Sequence, residues 1–525
     1  MNNLIRWSLL AFVLMFILAC ESDDQREFVK LEEDGFSYLE KPFFPLMVNY
    51  ILQMRQIDGE YYLVPLKEYD TAGVFESNNS EELVAECRGQ LQIMKDMGFN
   101  SLRICMDRVK KDQHGYYYPT DSAGTIIPLY LNRSTDKILS AFEFYVEIAS
   151  EMDMKIMWLL KPPIDSKELW RFSEKLLDRF SNEPAIFAYD FFNEPLYFDI
   201  QRKADKKNVV GIVDSWRELM ESEAPNQLFT LGLSEPIEVF RWDPSMLDVD
   251  FISFHTYHPT RSLSEIYWYS KYSNKPWMIG ETGLQADGDS ITYEDQALFN
   301  QSIYNKVRNC GGLGVGFWEF QEVTYSNFEG NHTGLINRDG TTTSSDGAYS
   351  MNGTIKPAGH AIKNLEDRWE PALCEQPVNY YNMLGYRNFV LNGKLKNSET
   401  EEPIEGAVIR GWNFYWDVGM NTYSNEKGEF TLYTNDYPIH LEISAPGMSR
   451  LKFDSVCTFW SVEGHGVNIP FVPQRKLEYH DIDYNTFLPD SFPDGKRDIF
   501  AFRQELFDNA RLEGNIGVLY LRPIE

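Results

Sequence analysis

Cysteine is scarce in this 525-residue chain. Its six cysteines (Cys20, Cys87, Cys105, Cys310, Cys374 and Cys457) show no C-x-x-C spacing. Cys87 and Cys105 fall on apolar faces, so buried free thiols are expected rather than a zinc site or a disulfide scaffold. Positive charge is also short: 49 Lys and Arg stand against 79 Asp and Glu, a formal net charge of −30. Such a field repels polyphosphate, which argues against a nucleic-acid partner and weakly against other strongly anionic polymers. Its plainest consequence is solubility. No glycine-rich phosphate loop follows the first predicted strand, and no repeat recurs at solenoid or propeller period. What is present is 43% hydrophobic and 15% aromatic, the composition of a globular chain with material for more than one domain.

The N-terminus carries one cation, Arg6, then an apolar or small run from Trp7 to Ala19, then Cys20. The run is short for a membrane span and suits the apolar region of a signal peptide. Ile17-Leu18-Ala19-Cys20 resembles a bacterial lipobox, and Glu21-Ser22-Asp23-Asp24 resembles the export tag of Bacteroidetes surface lipoproteins. The resemblance implies a signal peptide over 1–20, a lipidated Cys20 and a linker over 21–41. It also implies a lipid anchor in the bacterial outer membrane, at the cell surface. An uncleaved anchor or an ordinary secretory signal is the alternative.

From residue 42 short apolar runs alternate with amphipathic segments. The predicted strands are 44–52, 100–106, 155–160, 185–192, 228–233, 250–257, 276–280 and 314–320. Helices are expected over 79–98, 135–152, 166–180 and 207–223. The first buries Leu83, Cys87, Leu91 and Met94, with Asn79 and Glu82 as a capping box; the second buries Ile138, Leu139, Phe142, Val146 and Ala149. Strands apolar on both faces require a covered parallel sheet, most simply a (β/α)8 barrel over 42–370. A doubly wound open sheet is the alternative. After a linker over 371–387, alternation punctuated by Asn-Gly, Lys-Gly and Pro-Gly predicts a small all-β sandwich over 388–473. Gly393, 403–407 and 424–430 resemble the carboxypeptidase regulatory-like domain, a spacer or interaction module. The segment 474–525 stays unassigned.

The triplet Asn-Glu-Pro occurs twice, at 182–184 and 193–195, on either side of the fourth predicted strand. In a (β/α)8 barrel, working residues stand at the carboxyl ends of strands. Glu183 precedes the strand and Glu194 follows it, roughly 25 Å or more away at about 3.3 Å per residue. Glu183 therefore belongs to the stability face and Glu194 to the active face. Glu281, directly after the seventh strand, faces it across the mouth. Asp107, Glu235 and Glu319 are competing acids at other strand ends.

Phe191-Phe192-Asn193-Glu194-Pro195, His255-Thr256-Tyr257, Ile279-Gly280-Glu281-Thr282-Gly283, Gly316-Phe317-Trp318-Glu319-Phe320 and Arg103 resemble clan A glycoside hydrolases, family 5 in particular. The match runs over 42–365, and 353–366 resembles the last helix of such barrels. The resemblance implies a retaining β-glycosidase without cofactor or metal, acting on a β-linked oligo- or polysaccharide. Glu194 would be the acid/base and Glu281 the nucleophile. Asn193 would hold the 2-hydroxyl, Arg103, His255 and Tyr257 would orient the carboxylates, and Trp318 would floor the pocket. Singly, His255, Tyr257, Arg103 and Trp318 also fit structural roles. One departure is Lys161, where family 5 members often carry His-Asn after the third strand. The loops 53–78, 107–134 and 321–352 could wall the cleft, with Tyr116, Tyr117, Tyr118, Tyr325 and Phe328 stacking on sugar or packing within their loops. An acidic chain without a basic stripe fits a neutral glycan. A surface glycan-binding or scaffold lipoprotein whose barrel no longer turns over is the second reading.

Overall fold

The computed structural model describes residues 27–66, 79–106, 109–111, 117–119, 132–160, 167–198, 205–259, 261–323, 332–386, 389–412, 419–434, 440–453, 459–462, 468–469 and 512–524. Eight parallel strands form a closed barrel: β1 (Leu46–Ile57), β2 (Ser101–Met106), β3 (Lys155–Leu159), β4 (Ile186–Asn193), β5 (Leu228–Leu233), β6 (Ile252–His255), β7 (Trp277–Glu281) and β8 (Val315–Phe317). Each pairs with its sequence neighbour, and Val315–Phe317 pairs with Leu46–Val48 to close the ring. The open doubly wound sheet is thereby excluded.

Helices Ser80–Met97, Asn132–Glu151, Lys167–Phe180, Lys206–Glu223, Arg261–Tyr272 and Tyr293–Asn309 cover the ring. Their apolar faces are those the periodicity predicts: Leu83, Cys87, Leu91 and Met94, then Ile138, Leu139, Phe142, Val146 and Ala149, are all buried. Asn79 caps the first helix, its Oδ1 accepting from the backbone N–H of Glu82 at 3.0 Å. A cap of this kind contributes about 1 kcal/mol.

Several expectations need correction. Residues 53–78 are not all loop: β1 runs on to Ile57 and folds back onto Glu60–Pro65. Asp58 and Gly59, both at positive φ (51° and 84°), make that two-residue turn. Thr341–Thr343 and Ser350–Asn352 form a hairpin inside 321–352. β8 stops at Phe317, because Trp318 N–H leaves the ladder to donate to Thr282 O at 2.7 Å. The stretch 353–366 holds only the short helix Pro357–Ala361 and a 3-10 turn. Residues 30–42 are no linker: Lys30–Glu32, Gly35–Tyr38 and Lys41–Pro42 form a small sheet. Its Phe36 packs with Met47, Met157, Phe187, Phe251 and Met278, sealing the barrel end opposite the strands' carboxyl termini.

Cys310 and Cys374 are joined in a disulfide, a pairing that their wide spacing in the sequence did not suggest. A separation of 64 residues hides a proximity that the barrel's last helix creates. Cys87 and Cys105 are buried and not disulfide-bonded, while Cys20 and Cys457 lie outside the described residues.

The C-terminal region is two sheets sharing one core. Glu429–Thr434, Phe389–Asn397, Leu512–Leu521, Phe459–Val462 and Asn468–Ile469 form one; Gly419–Tyr423, Val408–Trp412, His440–Ser444 and Leu451–Phe453 form the other. Leu391, Leu395, Phe430 and Ile516 of the first pack on Ile409, Met420, Leu441 and Ile443 of the second. Within the segment left unassigned, 512–521 is therefore a strand. It pairs parallel with 389–397 at the middle of its sheet.

Candidate active site

Glu194 follows β4 at a turn. Its φ is +46°, uncommon for a residue with a side chain, and its N–H donates to Gly232 O at 2.6 Å. Pro195 then opens the short helix Pro195–Phe198. Glu281 ends β7, and His255 ends β6 between them. His255 Nδ1 lies 2.9 Å from Glu194 Oε1 and 3.6 Å from Glu281 Oε1. One oxygen of each carboxylate and a ring nitrogen of His255 all lie within 4.8 Å of one another. Gly280 makes room for this ring: a Cβ there would stand 2.2 Å from Ser253 Oγ and 3.1 Å from His255 Nε2.

Glu281 is 6% exposed and held on both oxygens, by Arg103 Nη1 and by the Tyr257 hydroxyl. Burial pushes its pKa up, but His255, Arg103 and the hydrogen bonds from Tyr257 and Arg103 outweigh it, holding the carboxyl below its usual range. Burial, followed by the charge of Glu281, pushes the Tyr257 phenol well above its usual value, so it stays a donor. Arg103 is fully buried. Burial opposes its charge, but Asp190 and Glu281 more than restore it.

Arg103 is positioned by Asn193 and by two residues not singled out in the sequence, Asp190 and Asn49. Asp190 Oδ2 accepts from its Nε at 2.9 Å and its Nη2 at 2.7 Å. Asn49 Oδ1 accepts from Nη1 at 3.1 Å, while Asn49 Nδ2 donates to Gly280 O at 2.9 Å. Asn193 Oδ1 accepts from Nη2 at 2.9 Å. A signal for both missed residues existed: Asp190 and Asn49 are polar residues inside otherwise apolar strands, where burial demands a partner.

The structure thus gathers Glu194, Glu281, Arg103, Asn193, His255 and Tyr257 at one mouth. Trp318 stands half-buried just past β8, and Glu319 beside it is fully buried. Glu235 lies after β5 but pairs with Arg261 at 2.6 Å. Glu183 sits at the other end of β4, its Oε1 accepting from Ala185 N–H at 2.9 Å and from Ser150 Oγ at 3.3 Å. Asp107, Lys161, Tyr116, Tyr325 and Phe328, with the side chains of Tyr117 and Tyr118, lie outside what is described.

Glu194, His255 and Glu281 are close enough to share a cation. Donors from Arg103 and Tyr257 already occupy both Glu281 oxygens, an environment that suits an ionised, unligated carboxylate better. A buried ionised carboxylate beside a second carboxylate at this separation suits nucleophilic displacement at an acetal carbon, with the second group moving the proton.

No protein-family model matches the sequence, and neither does any curated protein. Solved structures with a similar chain course include an endo-1,4-β-mannanase from Rhizomucor miehei. It is 15% identical with a TM-score of 0.39, over 58% of this chain and 94% of that one. An exo-β-1,4-mannosidase from Opitutaceae bacterium strain TAV5 is 14% identical with a TM-score of 0.43, over 66% and 61%. A β-glucosidase from Thermotoga maritima in complex with noeuromycin is 10% identical with a TM-score of 0.41, over 62% and 97%. At these values the likenesses transfer neither activity nor substrate. The barrel stands on its own hydrogen-bond ladder.

Proposed function

We propose that this chain is a retaining glycoside hydrolase acting on a neutral β-linked glycan, with Glu281 as nucleophile and Glu194 as acid/base. The carrying observation is the pair of carboxylates at the ends of β4 and β7, with oxygens within 4.8 Å across His255. Retention uses carboxyl groups about 5–5.5 Å apart, whereas inversion needs about 6.5–9.5 Å for an intervening water. Glu281 attacks the anomeric carbon while Glu194 protonates the leaving oxygen. Water, deprotonated by Glu194, then releases the sugar with its β configuration kept. Arg103 and Tyr257 keep the nucleophile ionised, and Asn193 is placed to meet a sugar hydroxyl. The likeness to family 5 motifs supports the same roles.

Purified protein tests this on glycans and on aryl β-glycosides with acidic phenols. Glu194→Ala should fall far more on glycans than on the aryl substrates, because a good leaving group needs no acid. Azide should then accelerate aryl-glycoside turnover and yield a β-glycosyl azide. Glu281→Ala should lose both activities. An α-anomer as first product by proton NMR would mean inversion; saturable glycan binding without hydrolysis would leave a scaffold protein.

The Ile17–Cys20 motif, outside the described residues, supports a lipid anchor at the bacterial outer membrane. Cys20→Ser should move the protein out of the membrane fraction. A wild type unlabelled by fatty-acid probes would refute the anchor.

A further inference from the structure

We propose that the C-terminal sandwich is part of the substrate site: through Glu235 it holds Tyr197 beside Glu194 as the wall on which the sugar leaving the scissile bond stacks. This rests on the hydrolase reading above.

Tyr197 is three residues beyond Glu194, and its N–H donates to Glu194 O at 2.9 Å. Its side chain is an exposed aromatic on the active face, 49% accessible. The hydroxyl reaches Glu235 Oε1 at 3.4 Å. That carboxylate is gripped from two modules. Arg261, at the start of the helix after β6, donates to Oε1 at 2.6 Å. From the sandwich, Asn421 Nδ2 donates to Oε2 at 3.4 Å, and Arg410 Nη1 lies 3.6 Å from it. Arg410 is steadied in turn by Asn421 Oδ1 at 3.2 Å and by the Trp412 ring, 4.1 Å from its guanidinium carbon.

The docking is built, not tethered. Lys206 Nζ donates to Asp243 Oδ2 at 2.7 Å and to Ala445 O at 3.0 Å, and Gly447 N–H donates to the same Asp243 oxygen at 2.8 Å. Lys206 and Asp243 are 4% and 1% exposed, and the sandwich backbone gives this buried pair one further acceptor and one further donor. Lower on the flank, Trp268 Nε1 donates to Gly406 O at 2.8 Å. The strand Val408–Trp412 therefore climbs from the far end of helix Arg261–Tyr272 toward the mouth, where Arg410 meets Glu235.

The chemistry selects the leaving side. Among the described residues, the donors to Glu281 are Arg103 and Tyr257, which surround the place of the anomeric carbon. Tyr197 instead stands one turn beyond Glu194, its backbone N–H on the Glu194 carbonyl, and Glu194 must face the leaving oxygen. A ring held by its hydroxyl presents a flat apolar face, the complement of the C–H face of a pyranose. Glu235 is paired with two guanidinium groups, so the wall suits an uncharged sugar.

The test uses the full chain, with β-linked tetrasaccharides of mannose, glucose, xylose and galactose and with aryl glycosides of the same sugars. Tyr197→Ala should raise KM for the best tetrasaccharide about tenfold more than for its aryl glycoside, a size in keeping with one lost stacking contact. Tyr197→Phe, which keeps the ring, should recover part of that loss. Arg410→Ala should shift the same ratio in the same direction by a smaller factor. Equal losses on both substrates, or no loss from Tyr197→Ala, would overturn the proposal; the exposed position of Tyr197 keeps this variant folded. Calorimetry separates the wall from the chemistry. In a protein that hydrolyses nothing, tetrasaccharide binding weakened by Tyr197→Ala would keep the wall and remove the hydrolase reading. Binding that is absent or unchanged would remove the wall.

Discussion

Glu281 shows how a residue's chemistry is set by what its neighbours donate. Its burial alone would favour the protonated acid, yet His255, the Arg103 charge and the hydrogen bonds from Tyr257 and Arg103 reverse the sign. The same balance governs stability: a depressed carboxyl contributes stability that is fully present above its unfolded pKa and lost as pH falls through the folded one. Removing one donor should move the balance measurably. On the proposed hydrolase reading, the acidic limb of kcat/KM with an activated aryl glycoside reports this group in the free protein. Tyr257→Phe should shift that limb to higher pH by roughly half to one unit, leaving the alkaline limb in place. An unmoved acidic limb would mean that Glu281 is not the group titrating there. Glu238 is the opposite case. Burial pushes its carboxyl up to about 8, although Leu196 N–H and Ser234 donate to its Oε1. Through Leu196 N–H it supports the turn that follows Glu194.

At the scale of an element, β4 carries two identical triplets to two different ends. Glu183 terminates the approach to the strand and bonds Ala185 and Ser150, whereas Glu194 emerges into the mouth. Glu183→Ala should therefore cost about 1 kcal/mol in denaturant unfolding, the worth of one or two side-chain hydrogen bonds. Its kinetics should stay near wild type. A folded Glu183→Ala protein without turnover would require the strand to run the other way. Strand direction was legible in the sequence, because each apolar run could be read with its flanking turn. Strand ends were less so: β1 outran its apolar run into a hairpin, and β8 stopped short of its own. Both ends depend on hydrogen-bond partners from elsewhere, Glu60–Pro65 for β1 and Thr282 for β8.

Across the whole molecule, the Cys310–Cys374 bond ties the last barrel helix to the segment leading to the sandwich. It closes a loop of 64 residues, long enough for a cross-link to stabilise by about 2–4 kcal/mol through the unfolded state. Cys310→Ser with Cys374→Ser should lower the denaturation midpoint accordingly, and mild reductant should do the same to the wild type. Identical midpoints for oxidised and reduced protein would remove the bond from the account of stability.

The sequence by itself determined the local geometry. A period of about 3.6 in apolar residues set the helices, short runs apolar on both faces set the barrel strands, and strand polarity separated Glu194 from Glu183. It also pointed to His255, Tyr257 and Glu281 at strand ends and to Arg103 within the second strand. Only the tertiary structure decided which of these meet. Glu194 and Glu281 come together because β8 closes onto β1 and turns the carboxyl ends of β4 and β7 toward one mouth. Asp190 and Asn49 acquire their task only when Arg103 is brought between them. The disulfide, the central place of 512–521 and the grip of Arg410 on Glu235 share that origin. Periodicity records how a residue lies on its own element, whereas contacts between distant segments follow from closing the barrel and packing the sandwich against it.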